Sequence, residues 1–444
     1  MIKSVTVFEY EYCTDKDSIT SKRFNNELVK HGDELIKLNS ELKKKLKADS
    51  DIVTVLHGGK LRTSHYVGVL QVNNLRIQIL PKLYRRGTDD TKDKAEQALK
   101  NLSYMLRYAT KLKIEETPQS LFETGDILEI YISMFLSELE DVLRSSIFRE
   151  YVTVEENLST VRGKLLLARH IKSNIVRNLP RAFCGFDELT RDNLLNQTIK
   201  YTLRVLKSIS QSYENHRKIE QLLFIFDEVS DVVIRPHHQS KLHFHRLNMH
   251  FKPVIDRCFM FIRNFAVDLS SGRIEYGGIV FDMNKLFEEF VGELLRRNRG
   301  YIFRDTEFRD YRLRLQSKGK YLVEEPPRFR LIPDIVLSRE GGVKLIIDTK
   351  YKMLDSSQPH SGVSQEDAYQ MFAYSQKFKC SKVVLLYPWN ERLDSQKRTD
   401  VLRNYHFDES RTLHIATIDI KRNLREEYDR LKEELKELFQ KLGR

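Results

Sequence analysis

The chain has 444 residues and a net charge of +12, from 75 Lys and Arg against 63 Asp and Glu; this length suits several domains, and the positive charge favours a polyanionic partner such as nucleic acid. No apolar run approaches the length that spans a membrane, and the first residues lack the apolar core of a signal peptide, so a membrane protein is not expected. The four cysteines form no C-x-x-C pair, which predicts reduced thiols in a cytoplasmic protein.

Residues 1–90 have the pattern of a small β-rich domain with a helical insert. Its first predicted elements are a strand at 5–12, a charged helix at 24–46, a strand at 51–57 and a long strand at 61–72. Asn73 and Asn74 then fit a two-residue turn of type I′. The next strand alternates apolar residues with Arg76 and Gln78, which predicts that one of its faces is buried.

A glycine pair at positions 58 and 59 precedes Lys60 and Arg62, so a positively charged tip is predicted between two strands. Lys60 and Arg62 are two residues apart on the strand that leaves the turn, and they should therefore share a face. Both side chains are candidate contacts to a partner. The alternative is a solvated turn without a function.

Residues 91–275 have mostly helical periodicity and are predicted to form a mainly helical middle domain, after a polar stretch at 85–95. Two short segments, 153–158 and 161–164, interrupt this periodicity and are predicted as strand or turn. Five histidines with loose spacing lie between positions 237 and 250. A zinc site there is a minor alternative to solvated or DNA-facing histidines.

The stretch 329–351 carries the clearest functional signal. Two apolar runs flank a Gly-Gly turn, which predicts a β-hairpin, and the second run is almost wholly apolar, like a strand buried on both faces. This strand nevertheless ends in Asp348 and Lys350, which share a face because they are two residues apart. Asp334 lies on the partner strand, from which it can approach the same face.

Two carboxylates and a lysine at one strand end suit the hydrolysis of a phosphodiester. The oxygens of Asp334 and Asp348 are ligands that Mg²⁺ prefers, and the ion polarises the phosphodiester and lowers the pKa of an attacking water. Lys350 would steady that water or the developing negative charge. The alternative for an isolated D-x-K pattern is a solvated strand end without a function.

The segment after the hairpin continues the pattern of an α/β domain. Ser364 is the predicted N-cap of a helix that carries Gln370 and Tyr374 on one face, four residues apart. A short apolar strand is predicted next, at 382–388, where a proline ends it.

Two amphipathic helices complete the predicted domain. The first, at 284–297, precedes the hairpin and carries three glutamates, Glu288, Glu289 and Glu293. The second, at 423–442, has a leucine stripe and is expected to pack against the rest of the domain.

This order of helix, two strands, helix and strand resembles the core of the PD-(D/E)xK nuclease superfamily. The motif reads Pro333-Asp334 and then Asp348-Thr349-Lys350, with Gln370 and Tyr374 as the frequent accessory pair. The resemblance implies a C-terminal α/β nuclease domain. The expected catalytic residues are Asp334, Asp348, Lys350, Glu288, Gln370 and Tyr374.

The resemblance also implies a set of metal ligands, namely Asp334, Asp348 and Glu288. Glu288 is the glutamate of the first helix that is expected to assist the metal, with Glu289 and Glu293 as competitors.

Further blocks of sequence resemble the McrC family, the nuclease subunits of the McrBC modification-dependent restriction systems. These blocks are Val67–Val72, Leu75–Lys82, Asn101–Tyr108, Val161–Lys164, Phe186–Asn193 and Leu286–Glu288. The nuclease motif is shared by many enzymes, whereas this combination of blocks is much more specific. The similarity runs over most of the chain.

The resemblance implies a partner, the AAA+ GTPase McrB, which in the family forms a hexameric ring and recognises modified DNA. McrC inserts an N-terminal portion into the ring, stimulates GTP hydrolysis and cuts the double-stranded DNA. The phosphate-binding pattern G-x-x-x-x-G-K-[ST] is missing from this sequence, which agrees with GTP being bound by the partner. Lys60 and Arg62 are then candidates for contacting the ring.

The expected fold class is α+β and multidomain, with a β-rich N-terminal domain at 1–90, a helical middle domain at 91–275 and a PD-(D/E)xK nuclease domain at 276–444. The expected function is that of a Mg²⁺-dependent endodeoxyribonuclease subunit that stimulates a McrB-like GTPase. Two alternatives stay open. One is a stand-alone Mg²⁺-dependent endonuclease of repair or mobile-element processing, and the other is a non-enzymatic activator of a GTPase ring.

Overall fold

The computed structural model describes residues 3–10, 12–13, 30–56, 60–84, 91–109, 125–144, 147–268, 273–317, 320–340 and 342–443. The chain divides into two compact units, residues 1–130 together with 278–444, and residues 131–277. The three-domain division expected from the sequence stays a prediction. The first and last segments of that division belong to the same compact unit.

The described residues form strands and helices throughout both units. The strands are β1 Lys3–Phe8, β2 Tyr12–Cys13, β3 Val53–Leu56, β4 Lys60–Thr63, β5 Tyr66–Val72, β6 Leu75–Leu80, β7 Glu150–Leu158, β8 Lys164–Leu165, β9 Ala182–Thr190, β10 Phe265–Asp268, β11 Arg273–Asp282, β12 Arg312–Leu315, β13 Lys320–Val323, β14 Arg328–Leu331, β15 Ile335–Arg339, β16 Gly342–Thr349, β17 Lys382–Pro388, β18 Asp400–Asp408 and β19 Arg411–Ile418. The α-helices are α1 Gly32–Leu46, α2 Thr91–Ala109, α3 Ile127–Leu143, α4 Leu167–His170, α5 Leu194–Ile209, α6 Tyr213–Ile225, α7 Lys252–Asn264, α8 Met283–Arg297, α9 Arg299–Ile302, α10 Gln365–Phe378 and α11 Tyr428–Gly443. Among the described residues, no helix combines the length and the apolar character that crossing a bilayer requires.

The N-terminal strands of the first unit form two sheets. In one, β1 runs parallel to β6, β6 pairs antiparallel with β5, and β11 lies beside β5. In the other, the strands follow the order β2-β4-β3. The single long strand predicted at 61–72 is therefore wrong, because β4 and β5 belong to different sheets. The Ser64 N–H donates to Ile52 O (3.2 Å), in register with the β3–β4 pairing, and the chain enters the other sheet at Tyr66. The two-residue turn at Asn73 and Asn74 is confirmed by the pairing of β5 with β6, and Asn73 has a left-handed backbone (φ 50°).

The predicted burial of one face of β6 is confirmed, and its other face is buried as well. Arg76 is 1% exposed; it forms an ion pair with Asp126 and donates through Nε to Gln71 Oε1 (3.0 Å). Gln78 donates to Gly125 O (2.8 Å). A buried polar group needs such partners because its desolvation is costly. The polar side chains of β6 therefore contact the chain segment before α3 rather than solvent.

Asn101 fastens α2 to the segment that follows β19. Its Nδ2 donates to Ile420 O (3.0 Å) and Arg422 O (2.6 Å), and its Oδ1 accepts a hydrogen bond from Leu424 N–H (3.1 Å). The hydroxyl of Tyr84 also donates to Ile420 O (3.1 Å). These bonds tie the end of the N-terminal region directly to the C-terminal α/β part of the same unit.

The C-terminal sheet has the strand order β12-β15-β16-β17-β19-β18. Strands β16, β17 and β19 are parallel, and α10 is the connection that carries the chain from β16 to β17. The predicted β15–β16 hairpin, the helix capped by Ser364 and the strand at 382–388 are confirmed. The C-terminal helix begins at Tyr428, later than predicted, and its expected packing is confirmed by Phe439, whose ring lies 4.8 Å from that of Phe303.

The second unit combines helices α5, α6 and α7 with a small antiparallel sheet of order β7-β9-β8. The strand or turn predicted at 153–158 is a strand that already begins at Glu150. Strand β9 was not predicted, although its buried residues Ala182, Cys184 and Phe186 alternate as a strand requires. The alternating pattern in the sequence of β9 is short, because only these three apolar positions repeat.

We predict that Asn101→Ala destabilises the protein. The substitution removes the Asn101 partner of the Arg422 carbonyl and the Leu424 amide, while Ile420 O keeps the Tyr84 hydroxyl. Each such buried group costs about 1–3 kcal/mol, so we expect a loss of about 3 kcal/mol in the free energy of unfolding. Urea denaturation followed by the fluorescence of Trp389, the single tryptophan, measures it. Glu96→Ala on the same helix, which removes only a surface pair with Lys100, should cost below about 0.5 kcal/mol. Equal denaturation midpoints for the two variants would contradict the role of Asn101.

Candidate active site

Strands β15 and β16 bring Asp334 and Asp348 to the same end of the C-terminal sheet. Ile335 pairs with Ile347, so Asp334 lies just before the paired part of its strand. The N–H and the hydroxyl of Thr349 both donate to Asp334 Oδ2, each at 2.7 Å. Asp348 is 2% exposed. The hairpin thus holds the Asp334 carboxylate through Thr349, the residue next to Asp348.

Lys350 directs its ammonium to the same place. Its backbone N–H donates to Leu386 O (2.9 Å), which continues the pairing of β16 with β17. Its Nζ lies 2.6 Å from Asp348 Oδ2, donates to Gln370 Oε1 (2.9 Å) and lies 3.9 Å from Asp367 Oδ1. The two side chains that share a face of the strand therefore form an ion pair.

Helix α10 supplies the accessory pair. Gln370 Nε2 donates to the Tyr374 hydroxyl (2.8 Å) and, at 3.5 Å, to Asp348 Oδ1. The Tyr374 hydroxyl in turn donates to Ile332 O (3.2 Å), just before the motif aspartate. Ser364 caps this helix by accepting a hydrogen bond from the Asp367 N–H (3.2 Å). One helix face thus binds both the lysine and the chain that leads to the site.

The three glutamates of α8 have different surroundings. Glu288 Oε1 accepts a hydrogen bond from Gln316 Nε2 (2.9 Å), on the segment that follows β12. Glu289 is exposed. Glu293 is buried and forms an ion pair with Arg296 (2.6 Å) on its own helix. The charge of Glu288 interacts with the site aspartates.

Burial raises the pKa of three neighbouring carboxyls, those of Asp348, Asp334 and Glu288. The negative charge of one of the other two raises each pKa further. The pKa of Asp348 rises to about 7, through burial and then the charge of Asp334, against the opposing effect of Lys350. The pKa of Asp334 rises to about 6, through burial and the charge of Glu288. The pKa of Glu288 is also raised, first by burial and further by Asp348. These carboxyls therefore carry more negative charge, when ionised, than the one ammonium balances.

The pKa values of Lys350 and Asp367 are shifted in the direction that favours their charged forms. Burial works against the positive charge of Lys350, but Asp348 and Asp367 outweigh it, and the pKa of Lys350 is raised above its usual value. Burial likewise works against the charge of Asp367, but the hydrogen bond from Lys352 (2.6 Å) outweighs it and lowers the pKa of Asp367. Lys350 therefore keeps its proton at neutral pH.

The donor set at the end of β16 fits a hard cation. Asp334 and Asp348 offer carboxylate oxygens, the ligands that Mg²⁺ prefers, and a divalent ion would balance the charge that now raises their pKa values. Across the described ranges, no group of three or more His, Cys, Asp or Glu side chains is arranged to hold a metal ion. The histidines between 237 and 250 therefore form no such group, and at the end of β16 the two aspartates are the fitting pair.

The partner-contact candidates lie on another sheet. Lys60 and Arg62 belong to β4, between β2 and β3, so strand alternation places them on one face. Arg62 is exposed. The glycine pair of the predicted tip and the side chain of Lys60 lie outside the described residues.

The structure adds residues that the sequence pattern did not single out for the site. Gln316 binds Glu288, and Thr349, the middle residue of D-x-K, binds Asp334 through two donors. Asp367, in the first turn of α10, lies 3.9 Å from the ammonium of Lys350. Gln316 carries no local signal, since its role depends on where β12 ends relative to α8.

Comparisons with known proteins agree with this architecture. A family model described as McrBC 5-methylcytosine restriction system component matches residues 61–388. A chain from a refined half-complex of a tetradecameric assembly, Thermococcus gammatolerans McrB AAA+ hexamers with bound McrC, is similar with a TM-score of 0.67 and 22% identity, over 97% of this chain and 100% of that chain. A chain from the cryo-EM structure of the Thermococcus gammatolerans McrBC complex is similar with a TM-score of 0.51 and 27% identity, over 67% of this chain and 88% of that chain. No curated protein sequence matches the chain.

We predict that Asp334→Asn stabilises the metal-free protein at about pH 8. The folded pKa of Asp334, about 6, lies above that of an unfolded aspartate, about 4. The stability that its proton provides is therefore present below about pH 4 and lost as the pH rises through about 6. An asparagine keeps an oxygen for Thr349 and avoids this loss, so the free energy of unfolding should rise by about 1–3 kcal/mol at pH 8 and change little at pH 4.

Asp367→Asn is the matched control and should have the opposite sign. The pKa of Asp367 is lowered, so its stabilising contribution is present above the pKa of an unfolded aspartate and is lost as the pH falls. This variant should therefore be less stable than the parent at pH 8. Urea denaturation in the presence of a chelator measures both variants, and a destabilised Asp334→Asn at pH 8 would refute this account of the site's charges.

Proposed function

Because the chain belongs to the family of McrBC 5-methylcytosine restriction system components, we propose that it is the Mg²⁺-dependent DNA endonuclease subunit of a GTP-dependent restriction complex. The observation that carries this proposal is the group of Asp334, Asp348 and Lys350 at one strand end, in the order and spacing of a PD-(D/E)xK site. The net charge of +12 supports double-stranded DNA as the substrate.

The residues of the site divide the work of phosphodiester hydrolysis. Mg²⁺ bound by the oxygens of Asp334 and Asp348 would act as a Lewis acid on the phosphodiester and lower the pKa of the attacking water. Lys350 keeps its proton, so it serves as a fixed cation for the developing negative charge rather than as a base. Gln370 orients that ammonium through its Oε1, and Thr349 holds Asp334 in place.

Glu288 is the carboxylate from α8 that we propose to assist a metal held by the two aspartates. Gln316 fixes one of its oxygens, and its pKa is raised partly by the charge of Asp348, so the two carboxyls are close enough to interact. Glu293 is less suited to this role because it is bound to Arg296. Tyr374 is a positioning residue, since it contacts Gln370 and the backbone before Asp334.

We also propose that this chain binds and stimulates a McrB-like AAA+ GTPase ring. The similar solved complex contains McrB hexamers with bound McrC. The absence of a P-loop sequence supports the assignment of GTP to the partner. Lys60 and Arg62 are the candidate contacts, because an added cation, or a contact that repositions the ring's own cation, accelerates GTP hydrolysis.

The first test is DNA cleavage by the complete complex with Mg²⁺ and GTP. Asp334→Ala, Asp348→Ala and Lys350→Ala should each lower cleavage by at least about a hundredfold, since each removes a group that acts on the reacting phosphate, while GTP hydrolysis by the ring stays at the parent level. Mg²⁺-dependent cutting that persists in both aspartate variants would eliminate this site. Unchanged restriction with any of the three would favour a pure GTPase activator, and cutting by this chain without partner or nucleotide would favour a stand-alone nuclease.

Two neighbouring glutamates of α8 give a matched pair. Glu288→Ala should lower cleavage, because it removes a carboxylate that interacts with both aspartates, whereas Glu289→Ala on the exposed side should cleave like the parent. The rates are compared at limiting and at saturating Mg²⁺. Equal rates for the two variants would show that no glutamate of this pair assists the metal.

The partner contact is tested separately. Lys60→Ala combined with Arg62→Ala should lower the stimulated GTP turnover more than it lowers complex formation, because loss of cationic help acts on the reaction rather than on docking. Turnover is measured at saturating ring, and binding by pull-down of the same variant. Parent-level turnover would eliminate this idea, and lost binding with normal turnover at saturation would make the tip a docking contact.

A further inference from the structure

The hairpin of β12 and β15 continues beyond the C-terminal sheet as a two-stranded arm. After β12, the Gln316 N–H donates to Asp334 O (2.7 Å), and antiparallel pairing resumes where Lys320 lies opposite Leu331. Residues 320–331, which contain β13, a turn and β14, are called the arm. The base of the arm therefore lies close along the chain to Asp334, the motif aspartate of the candidate active site.

The base of the arm is fixed by α10. Lys320 Nζ donates to Lys377 O (2.6 Å), and Leu331 is buried in the core of the C-terminal sheet. The Tyr374 hydroxyl donates to Ile332 O (3.2 Å), one residue beyond the arm. The same tyrosine contacts Gln370, which binds the ammonium of Lys350. The direction of the arm is therefore set by the residues that position the site.

The rest of the arm is exposed. Within the described residues its two strands pair only with each other, and an isolated two-stranded hairpin is marginally stable in water. Leu322 and Val323 are 43% and 40% exposed. Phe329 is 73% exposed and has a left-handed backbone (φ 55°), which an aromatic residue rarely adopts. Three exposed apolar side chains on a pair of strands with no other partner strand in the described part of the chain make the arm a candidate interaction surface.

The charge of this region identifies the kind of partner. Arg328 and Arg330 are exposed on β14, and neither forms an ion pair with any described residue. The same is true of Arg312 and Arg314 on β12. The two glutamates of the arm lie at its turn, directly after the pairing of Val323 with Arg328, and Glu324 is bound by Lys377 of α10. Four arginines without acidic partners beside exposed apolar groups suit a polyanion with stacked rings, which is nucleic acid.

We propose that the arm lies in a groove of the duplex DNA next to the phosphate that is cut, with Arg328 and Arg330 on backbone phosphates and Phe329 against sugars and bases. A two-stranded β-ribbon fits the major groove, and exposed aromatic wedges are used against the minor groove. This inference rests on the proposed nuclease function and adds to it the element that holds the substrate. A protein partner on the arm is the competing occupant.

The test measures binding of a short fluorescent duplex to the full chain carrying Asp348→Ala, which prevents cutting. Adding Arg328→Gln and Arg330→Gln should weaken binding about tenfold or more. It should also lower the slope of log affinity against log salt by about 2, because each lost phosphate contact removes about 0.9 from the slope. Phe329→Ala should weaken binding about tenfold with an unchanged slope, since it removes contact area but no charge.

The matched control removes two arginines from elsewhere in the same unit. Arg403 is exposed on β18, at the opposite edge of the sheet from β12, and Arg425 is exposed before α11. Arg403→Gln with Arg425→Gln should leave affinity and slope close to those of the parent. An equal loss in this control, or an unchanged affinity after the two arm substitutions, would overturn the proposal, as would an arm variant that binds DNA normally but no longer captures the AAA+ ring. Circular dichroism melting of every variant identifies any that has lost its fold.

A second readout separates this proposal from the nuclease assignment. If the parent complex cuts DNA and the arm variants cut and bind equally well, the arm proposal fails and the nuclease assignment stands. If the arm variants lose DNA binding and the parent complex does not cut, the nuclease assignment fails and the arm remains a DNA-binding element.

Discussion

A buried carboxylate at the end of a buried strand is the constraint on which this site depends. Asp348 is 2% exposed, and its charge is unfavourable there unless a cation or a proton compensates it. Lys350 supplies the nearest charge, 2.6 Å away, while Asp334 adds a second negative group that one ammonium cannot also balance. Burial first, and then the charge of Asp334, raise the pKa of Asp348 to about 7. The uncompensated negative charge of Asp334 and Asp348 destabilises the metal-free fold, and the same charge suits the site to a divalent cation.

The N-terminal strands support this strand end from another side. Lys82, after β6, donates through Nζ to Tyr351 O (3.1 Å), one residue beyond Lys350. Its backbone N–H donates to Glu9 Oε2 (2.9 Å), and burial raises the pKa of Glu9 to about 7. Thr63 at the end of β4 donates to Phe8 O (2.7 Å) beside that glutamate. The strand of the candidate partner contacts and the strand of the candidate catalytic residues are thus joined by successive direct bonds.

Local patterns predicted much of the C-terminal part. The Gly-Gly turn and the apolar run before Asp348 predicted the β15–β16 hairpin, and Ser364 predicted the start of α10. Such signals work because turn residues and caps act over a few residues of chain. For β6 the same reasoning predicted only the buried apolar face, whereas the polar face is buried too, because Arg76 is covered by the chain before α3. Alternation shows which side chains share a face and does not show what packs against it.

The contacts that the sequence could not predict join residues far apart in the chain. Asn101 looks like an ordinary polar position of a helix, yet its amide binds the backbone after β19, more than three hundred positions later. Gln316 becomes a partner of Glu288 only because β12 ends beside α8. Polar side chains have many possible partners, so their choice follows from the assembled fold rather than from local sequence. The arm at 320–331 illustrates the same limit, because neither its pairing nor its exposed position near Asp334 follows from the local sequence.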